Sequence, residues 1–168
     1  EFDFDASTGT ITSYNGYATY LAIPETIGGA PVKAIGPEAF ARHSYLALLE
    51  LPEGLETIGD SAFYNCETLG RVKFPSTLKT IGSNAFYNAY KSNVLELPEG
   101  LESIGDYAFY FAGLKGSLEL PEGLKSIGEN AFESCPNMGA DLYLPSTLES
   151  IGSNAFKGDY NIQYIVLE

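Results

Sequence analysis

The sequence repeats itself every 23 residues, and this period constrains the possible folds more than any other feature. An Ile-Gly pair recurs along most of the chain, and an Ala-Phe pair follows each one at a constant distance. The Ile-Gly pairs begin at Ile35, Ile58, Ile81, Ile104, Ile127 and Ile151, and the Ala-Phe pairs begin at Ala39, Ala62, Ala85, Ala108, Ala131 and Ala155. Self-similarity at such a period is the signature of a solenoid, in which each repeat is one coil.

Each repeat contains the elements of one coil. A short alternating run such as Leu118-Glu119-Leu120-Pro121 indicates a strand, because alternation with a period of two is a strand signal. A turn and a second extended piece follow. A short helical turn is expected next, with Asp60, Ser83 and Asp106 as N-cap residues. Stacked coils pair their strands in parallel about 4.8 Å apart. We therefore predict a repeat solenoid of about six 23-residue units.

The repeat resembles a known family. The motif L-P-x-x-L-x-x-I-G-x-x-A-F recurs five times from Leu51-Pro52 onward, and a first unit at residues 23–36 is longer by five residues. The pattern is similar to the BspA-like leucine-rich repeats of bacterial surface proteins, over roughly residues 20–168. This resemblance implies a right-handed leucine-rich-repeat coil in a bacterial secreted or cell-surface protein. It also implies a non-enzymatic adhesion or recognition role.

The chain is expected to form a single domain, residues 1–168. Residues 1–19 fall outside the repeat, and Phe2-Asp3-Phe4 with residues 11–14 predicts a hairpin that caps the first coil. Residues 20–168 form the repeats. The last strand, residues 165–168, shows no capping element. This suggests either that the chain is a fragment of a longer protein or that its end pairs in a dimer.

The charge balance limits the possible partners. With 22 acidic and 9 basic residues, the net charge is −13. Such a charge repels phosphate backbones and anionic lipid surfaces, which argues against nucleic-acid and membrane binding. No apolar stretch approaches the roughly 20 residues of a membrane-spanning helix. Basic or neutral partners are favoured.

The residues with catalytic potential occupy ordinary repeat positions. His43, Cys66 and Cys135 share one slot, three residues after the Phe of Ala-Phe, so we interpret them as structural. Three coils separate the two cysteines, or about 14 Å, which is too far for a disulfide. The Gly59-Asp60-Ser61 match to an esterase block is a product of the cap position. No metal-ligand spacing exists, and the glutamates recur in columns rather than as one glycosidase pair. We predict no catalytic residues, no metal site and no cofactor.

Three columns of the repeat are interpreted as structural. One alternates in charge, a second carries hydroxyl groups, and a third stacks tyrosines on the outer side. They are Glu56, Lys79, Glu102, Lys125 and Glu149; Thr57, Thr80, Ser103, Ser126 and Ser150; and Tyr64, Tyr87 and Tyr110. Neighbours of opposite charge on adjacent strands contribute about 0.2–1 kcal/mol per pair.

The exposed row of the main strand differs from these columns because its residue types change from unit to unit. In a leucine-rich-repeat solenoid this row lines the concave face, which is the usual recognition surface. The candidate partner-binding residues are Glu50, Lys73, Glu96, Glu119, Tyr143 and Tyr164. Two interpretations remain: a solvated face, or a patch that receives either Lys or Arg from a partner or a weakly bound divalent cation.

The sequence therefore predicts a protein-binding module whose partner is a host or bacterial surface protein. A structural spacer or self-assembling segment and a carbohydrate-binding module are the alternatives, with a glycosidase well behind. The absence of Trp disfavours a glycan ligand without excluding it. The oligomeric state stays open.

Overall fold

The structure is a computed structural model that describes residues 1–91 and 93–167. Within these ranges the chain forms strands and turns. In chain order the strands are β1 (Phe2–Asp5), β2 (Thr10–Tyr14), β3 (Tyr20–Ala22), β4 (Thr26–Ile27), β5 (Ala30–Pro31), β6 (Ala34–Ile35), β7 (Leu48–Glu50), β8 (Thr57–Ile58), β9 (Arg71–Lys73), β10 (Thr80–Ile81), β11 (Ser103–Ile104), β12 (Gly116–Glu119), β13 (Ser126–Ile127), β14 (Met138–Leu144), β15 (Ser150–Ile151) and β16 (Tyr164–Leu167).

The two-residue strands that precede each glycine form one continuous sheet. Its order is β1-β2-β6-β8-β10-β11-β13-β15, and every pairing after the first is parallel. Each isoleucine lies opposite the isoleucine one coil away, as Ile58 does with Ile81. The register therefore follows the sequence period, and the predicted solenoid is confirmed.

The main strands form two shorter parallel sheets. One has the order β3-β7-β9 and the other β12-β14-β16. Residues 94–97 lie between them in the sequence and form no strand, although their Leu95 is buried like the inward leucines of the other coils. The predicted main-strand sheet is therefore interrupted at one coil.

A column of aromatic rings runs through the core. Stacked ring centroids are 5.0 Å apart for Phe40 and Phe63 and 5.4 Å apart for Phe132 and Phe156. The cap extends this column, because Tyr14 of β2 is buried and stacks on Phe40 at 5.1 Å. Stacked aromatic pairs contribute about 0.5–1.5 kcal/mol beyond the area that they bury. The predicted N-terminal hairpin thus continues the core as well as the sheet.

The expected helical turns are absent. No helix occurs in the part of the chain that the structure describes, and hence none long and apolar enough to cross a membrane. The residue before each Ala-Phe pair has a positive φ of 54° to 59°, which interrupts a right-handed helix. These residues are Glu38, Ser61, Asn84, Tyr107, Asn130 and Asn154.

Alternate backbone groups of this segment bond to the next coil instead. The Ala62 N–H donates to the Gly59 carbonyl at 3.3 Å within the coil, whereas the Phe63 N–H donates to the Ala85 carbonyl of the next coil at 2.8 Å. Two of the predicted cap residues, Asp60 and Asp106, also bond to the next coil. Asp60 Oδ1 accepts the N–H of Ser83 one coil away, at 2.8 Å, and caps no helix.

Two glycine positions explain local features of the coils. A Cβ on Gly105 would lie 2.6 Å from the backbone nitrogen of Ser83, so the Ile-Gly column needs glycine for coils to approach this closely. The five extra residues of the first unit belong to a small hairpin of β4 and β5, with Gly28 and Gly29 at positive φ in its turn. The predicted final strand, residues 165–168, corresponds to β16 (Tyr164–Leu167). Glu168 lies outside the described residues.

Candidate functional site

The candidate site lies on the outward side of the main strands, which we call the strand face: β3, β7, β9, residues 94–97, β12, β14 and β16. Side chains alternate along these strands, so Leu49 points into the core while Leu48 and Glu50 point outward. Glu50 lies opposite Lys73, and Glu119 lies opposite Tyr143. The register thus places these predicted residues in one row.

The N-terminal section of this face has compensated charges. Glu50 Oε2 lies 4.0 Å from Lys73 Nζ, and the Tyr20 hydroxyl donates to Glu50 Oε1 at 3.1 Å. This hydrogen bond raises the pKa of Tyr20. Sequence reasoning did not select Tyr20, although aligning β3 with β7 puts Tyr20 in register with Leu48 and would have identified it.

The middle section of the face is open. A cleft of about 390 Å³ separates residues 94–97 from the following coil, and two of the predicted residues, Glu96 and Glu119, line it. Glu99 and Glu122, one from each coil, also line this cleft. Four carboxylates thus border one opening in the sheet.

The carboxylates beyond the proline turns are compensated unequally. Glu53 accepts a hydrogen bond from the Ser76 hydroxyl at 2.9 Å, and Glu122 accepts one from the Ser146 hydroxyl at 3.1 Å. Glu99 has Glu122, rather than a serine, at the same position of the next coil. Among residues 1–91 and 93–167, no ion pair or side-chain hydrogen bond engages the carboxylates of Glu96, Glu99 or Glu119.

The core beneath the open section differs from that of the preceding coils. The sixth residue after the phenylalanine is buried in those coils, at Leu46 and Leu69, but this coil has Tyr90 buried two residues earlier. Tyr90 is 1% exposed, and its ring meets Phe86 edge-on at 6.2 Å and Phe109 at 6.3 Å. Burial raises the pKa of Tyr90 to about 12. A bulky aromatic ring is therefore buried beside residues 94–97 and lines a cleft together with Val94 and Glu96.

The C-terminal section has the two predicted tyrosines. Tyr143 lies opposite Val166, and Tyr164 lies opposite Asp141, so the tyrosines are diagonal neighbours on β14 and β16. Tyr164 is 62% exposed. Large exposed tyrosines are common anchors of protein interfaces.

Neighbouring coils are in contact in all three columns that we interpret as structural, although the charged column forms one ion pair among the described residues. In the charged column, Lys125 Nζ lies 3.2 Å from Glu102 Oε2. In the hydroxyl column, Thr80 Oγ1 donates to Thr57 Oγ1 at 3.3 Å. The outer tyrosines stack with ring centroids 4.9 Å and 4.8 Å apart, in the order Tyr64, Tyr87 and Tyr110.

The cysteines have the environment of core residues. Both are free and buried, and Cys66 Sγ donates to the Phe40 carbonyl while Cys135 Sγ donates to the Phe109 carbonyl. Burial raises the pKa of both thiols, for Cys66 to about 12. A thiol with a raised pKa is a weak nucleophile at neutral pH.

The two polar members of the same column differ from the cysteines. His43 packs against Tyr14 and Phe40, and its Nδ1 is buried without a partner among the described residues. Asp159 accepts the Cys135 N–H at 2.7 Å through Oδ1, while its Oδ2 is buried and unpaired within that same part of the chain. Burial raises the pKa of Asp159 to about 7. No group of three or more His, Cys, Asp or Glu in residues 1–91 and 93–167 could hold a metal ion.

Solved structures of bacterial proteins have the same architecture. A leucine-rich repeat protein from T. pallidum is 26% identical with a TM-score of 0.86, over 99% of this chain and 81% of that one. A leucine rich cell surface protein from Faecalibacterium prausnitzii is 27% identical with a TM-score of 0.75, over 99% and 52%. A leucine-rich repeat protein from Bacteroides ovatus, 23% identical, shares the fold with a TM-score of 0.71, over 100% and 51%. This chain thus spans about half the length of the last two.

The family assignment depends on the repeat itself. No curated protein matches this chain. The family model described as BspA type leucine rich repeat region matches residues 33–163 in six copies. These residues include every Ile-Gly pair and the aromatic column from Phe40 to Phe156. Since the match covers most of the sequence and the coils have the expected register, the chain belongs to the BspA type leucine-rich repeat family.

Proposed function

We propose that this protein is a non-catalytic protein-binding module of a bacterial cell-surface or secreted protein, and that it binds its partner through the strand face. The observation that carries this proposal is the contrast between constant core columns and a variable outward row. Phenylalanine recurs in the core coil after coil, whereas the outward row changes from Glu50 to Lys73 to Tyr143. Solenoids of this kind use such extended faces for recognition.

The surface location is supported by the relatives. The similar Faecalibacterium prausnitzii structure is that of a leucine rich cell surface protein. The family is typical of bacterial surface proteins, and the net charge of −13 suits an exposed protein with basic or neutral partners.

Partner capture tests the proposal. The protein is used as bait for host and bacterial surface extracts, with chemical cross-linking, beside the triple variant Glu96→Ala, Glu119→Ala, Tyr143→Ala. A matched control changes the same residue types at exposed positions away from the face: Glu67→Ala, Glu129→Ala and Tyr160→Ala. We expect the strand-face variant to lose a specific partner that the control retains. Equal capture by both variants contradicts the proposal and favours a structural spacer or self-assembling segment. Light scattering across dilutions would detect the self-assembly.

Carbohydrate binding is a second candidate function because of one exposed aromatic pair. Tyr17 is 83% exposed and lies 6.0 Å from the ring of Tyr45, which is also exposed. Exposed apolar ring surface of this kind often marks a binding site. Glycan-array binding that is lost in the Tyr17→Ala, Tyr45→Ala variant would support this function, and an array without signal would contradict it.

A further inference from the structure

The backbone of the open section lacks the hydrogen bonds that the neighbouring coils make. The strand face has two closed sections, formed by the paired strands β3-β7-β9 and β12-β14-β16. There the Leu51 N–H donates to the Lys73 carbonyl at 3.1 Å, and the Leu120 N–H donates to the Tyr143 carbonyl at 3.2 Å. Leu97 holds the same position in its coil, but no described residue accepts its N–H. The Val94 N–H donates only to the adjacent Asn93 side chain, at 2.9 Å. Residues 94–97 therefore present unpaired strand edges.

Space is available on both sides of this segment. The cleft of about 390 Å³ lies toward the following coil, and a second cleft of about 180 Å³ lies toward the preceding one, lined in part by Arg71, Tyr90 and Asn93. Val94 borders both clefts and exposes about half of its surface. Clefts thus border the segment on both sides.

The charge around the larger cleft selects the chemistry of a ligand. Glu96, Glu99 and Glu119 line it without side-chain partners in residues 1–91 and 93–167. In the closed section, by contrast, Glu50 already has Lys73 and Tyr20. Complementary charge across an interface gives specificity and fast association. A basic group is therefore favoured at the open section and not at the closed one.

We infer that the open section binds an extended segment of a partner protein that carries Lys or Arg at alternate positions. The segment bonds through its backbone to the unpaired edge at residues 94–97, and its cations enter the cleft beside Glu96 and Glu119. Alternate residues of an extended chain lie on the same side, about 7 Å apart, so one cation can lie beside Glu96 and Glu119 while the next reaches toward Glu99 and Glu122 in the same cleft. Strand addition of this type takes affinity from the main chain and specificity from alternate side chains. This inference rests on the proposed function and names the class of partner.

Three short capped peptides test the inference by fluorescence anisotropy with the full chain. The first alternates Lys with Val, the second alternates Glu with Val, and the third is the Lys peptide with every backbone nitrogen methylated, which leaves no backbone N–H to donate. We expect the first to bind about tenfold or more tightly than either of the others, with an affinity that falls as salt is added. Equal binding of the N-methylated peptide overturns the strand pairing, and equal binding of the Glu peptide overturns the charge recognition.

A matched pair of variants locates the site. The protein has 22 acidic groups. The first variant removes three of them at the cleft, by Glu96→Gln, Glu99→Gln and Glu119→Gln. The second removes three elsewhere, by Glu25→Gln, Glu67→Gln and Glu129→Gln. The first is expected to weaken the Lys peptide about tenfold and the second much less. Equal losses would mean attraction to the overall charge, which overturns the inference. If no peptide binds but the strand-face variant still loses its captured partner, the inference fails while the proposed function stands.

Discussion

Three coils of the strand face carry the sequence Leu-Glu-Leu-Pro, and two of them, at residues 49–52 and 95–98, differ in structure. The first contributes β7, which pairs on both sides, and its Glu50 has a cation and a hydroxyl as partners. The second forms no strand, and its Glu96 borders a cleft. An identical strand sequence therefore does not determine whether the sheet closes.

Two features of the second coil, one in the core and one on the surface, favour the open arrangement. Below the first coil lies the aliphatic Leu46, whereas the second coil has the larger ring of Tyr90. On the surface, Glu50 faces Lys73, while Glu96 has Glu119 in the next coil of the row. Like charges on adjacent strands are destabilising. Both contributions disfavour pairing at the same coil.

The largest expected effect is that of removing the ring beneath the open section. Tyr90→Ala should lower the free energy of unfolding by about 3–5 kcal/mol, because Tyr90 is a fully buried aromatic side chain. Urea denaturation measures the change, with Tyr160→Ala, 91% exposed, as the control that should be near neutral. A small loss for Tyr90→Ala would mean that the open section is not anchored to the core, and the comparison would fail.

Amide hydrogen exchange compares the two sections directly. Leu97 has no acceptor for its N–H among the described residues, whereas Leu51 and Leu120 donate across the sheet. We expect the Leu97 amide to exchange about thirtyfold or more faster than the other two, because local opening is easier where no hydrogen bond must break. Similar protection at all three positions would show that the sheet is continuous in solution.

Asp159 shows how a buried uncompensated carboxylate differs from the exposed ones of the cleft. Its folded-state pKa of about 7 lies above the ordinary value of 3.8, so the folded protein holds a proton that the unfolded chain has lost between these values. The contribution of Asp159 to stability is therefore most favourable below pH 3.8, falls as the pH rises from 3.8 to 7, and carries its full penalty above pH 7.

Asp159→Asn removes this penalty. It should stabilise the protein by about 1–2 kcal/mol at pH 8, after allowance for solvent screening, and much less near pH 4. Thermal unfolding followed across this pH range measures the difference. A pH-independent effect would assign the change to lost packing rather than to charge. High salt should leave the gain largely intact, since buried charges are screened weakly.

Charge reversal should have opposite signs in the two sections. Glu50→Lys places a cation beside Lys73 and should destabilise the protein, whereas Glu119→Lys, with Glu96 on one side and Tyr143 on the other, relieves a repulsion and should stabilise it, each by about 0.5 kcal/mol. Chemical denaturation at low ionic strength measures both, and added salt should reduce both. The same sign for both substitutions would contradict the assignment of compensated and uncompensated sections.

The 23-residue period predicted most of the fold because the same residue pairs recur at the same positions of successive coils. The Ile-Gly and Ala-Phe pairs alone set the register of the long sheet and of the aromatic column. The helical turns were wrong for a physical reason. Asp60 has the chemistry of an N-cap, but the group that it accepts belongs to Ser83 in the next coil, 23 residues away, and Ser61 takes a positive φ. Local propensity does not include contacts at that separation.

The positions of the candidate residues were predicted only in part, and their role in binding stays a prediction. The outward row followed from alternation, so Glu50, Lys73, Glu119 and Tyr143 lie where expected. The cleft at residues 94–97 did not follow, since its strand sequence equals that of the closed coils. One signal was available, in that Tyr90 is an aromatic residue at a position where the preceding units carry Ser44 and Glu67.

The aromatic column affects how the molecule responds to a pulling force. Each ring contacts one ring above and one below, so a coil is held mainly by its two neighbours. A pulling force applied to one end should therefore detach coils one after another rather than break the whole domain at once. Each 23-residue coil would release about 80 Å of chain, which lets the protein lengthen in steps under tension while the remaining coils stay folded.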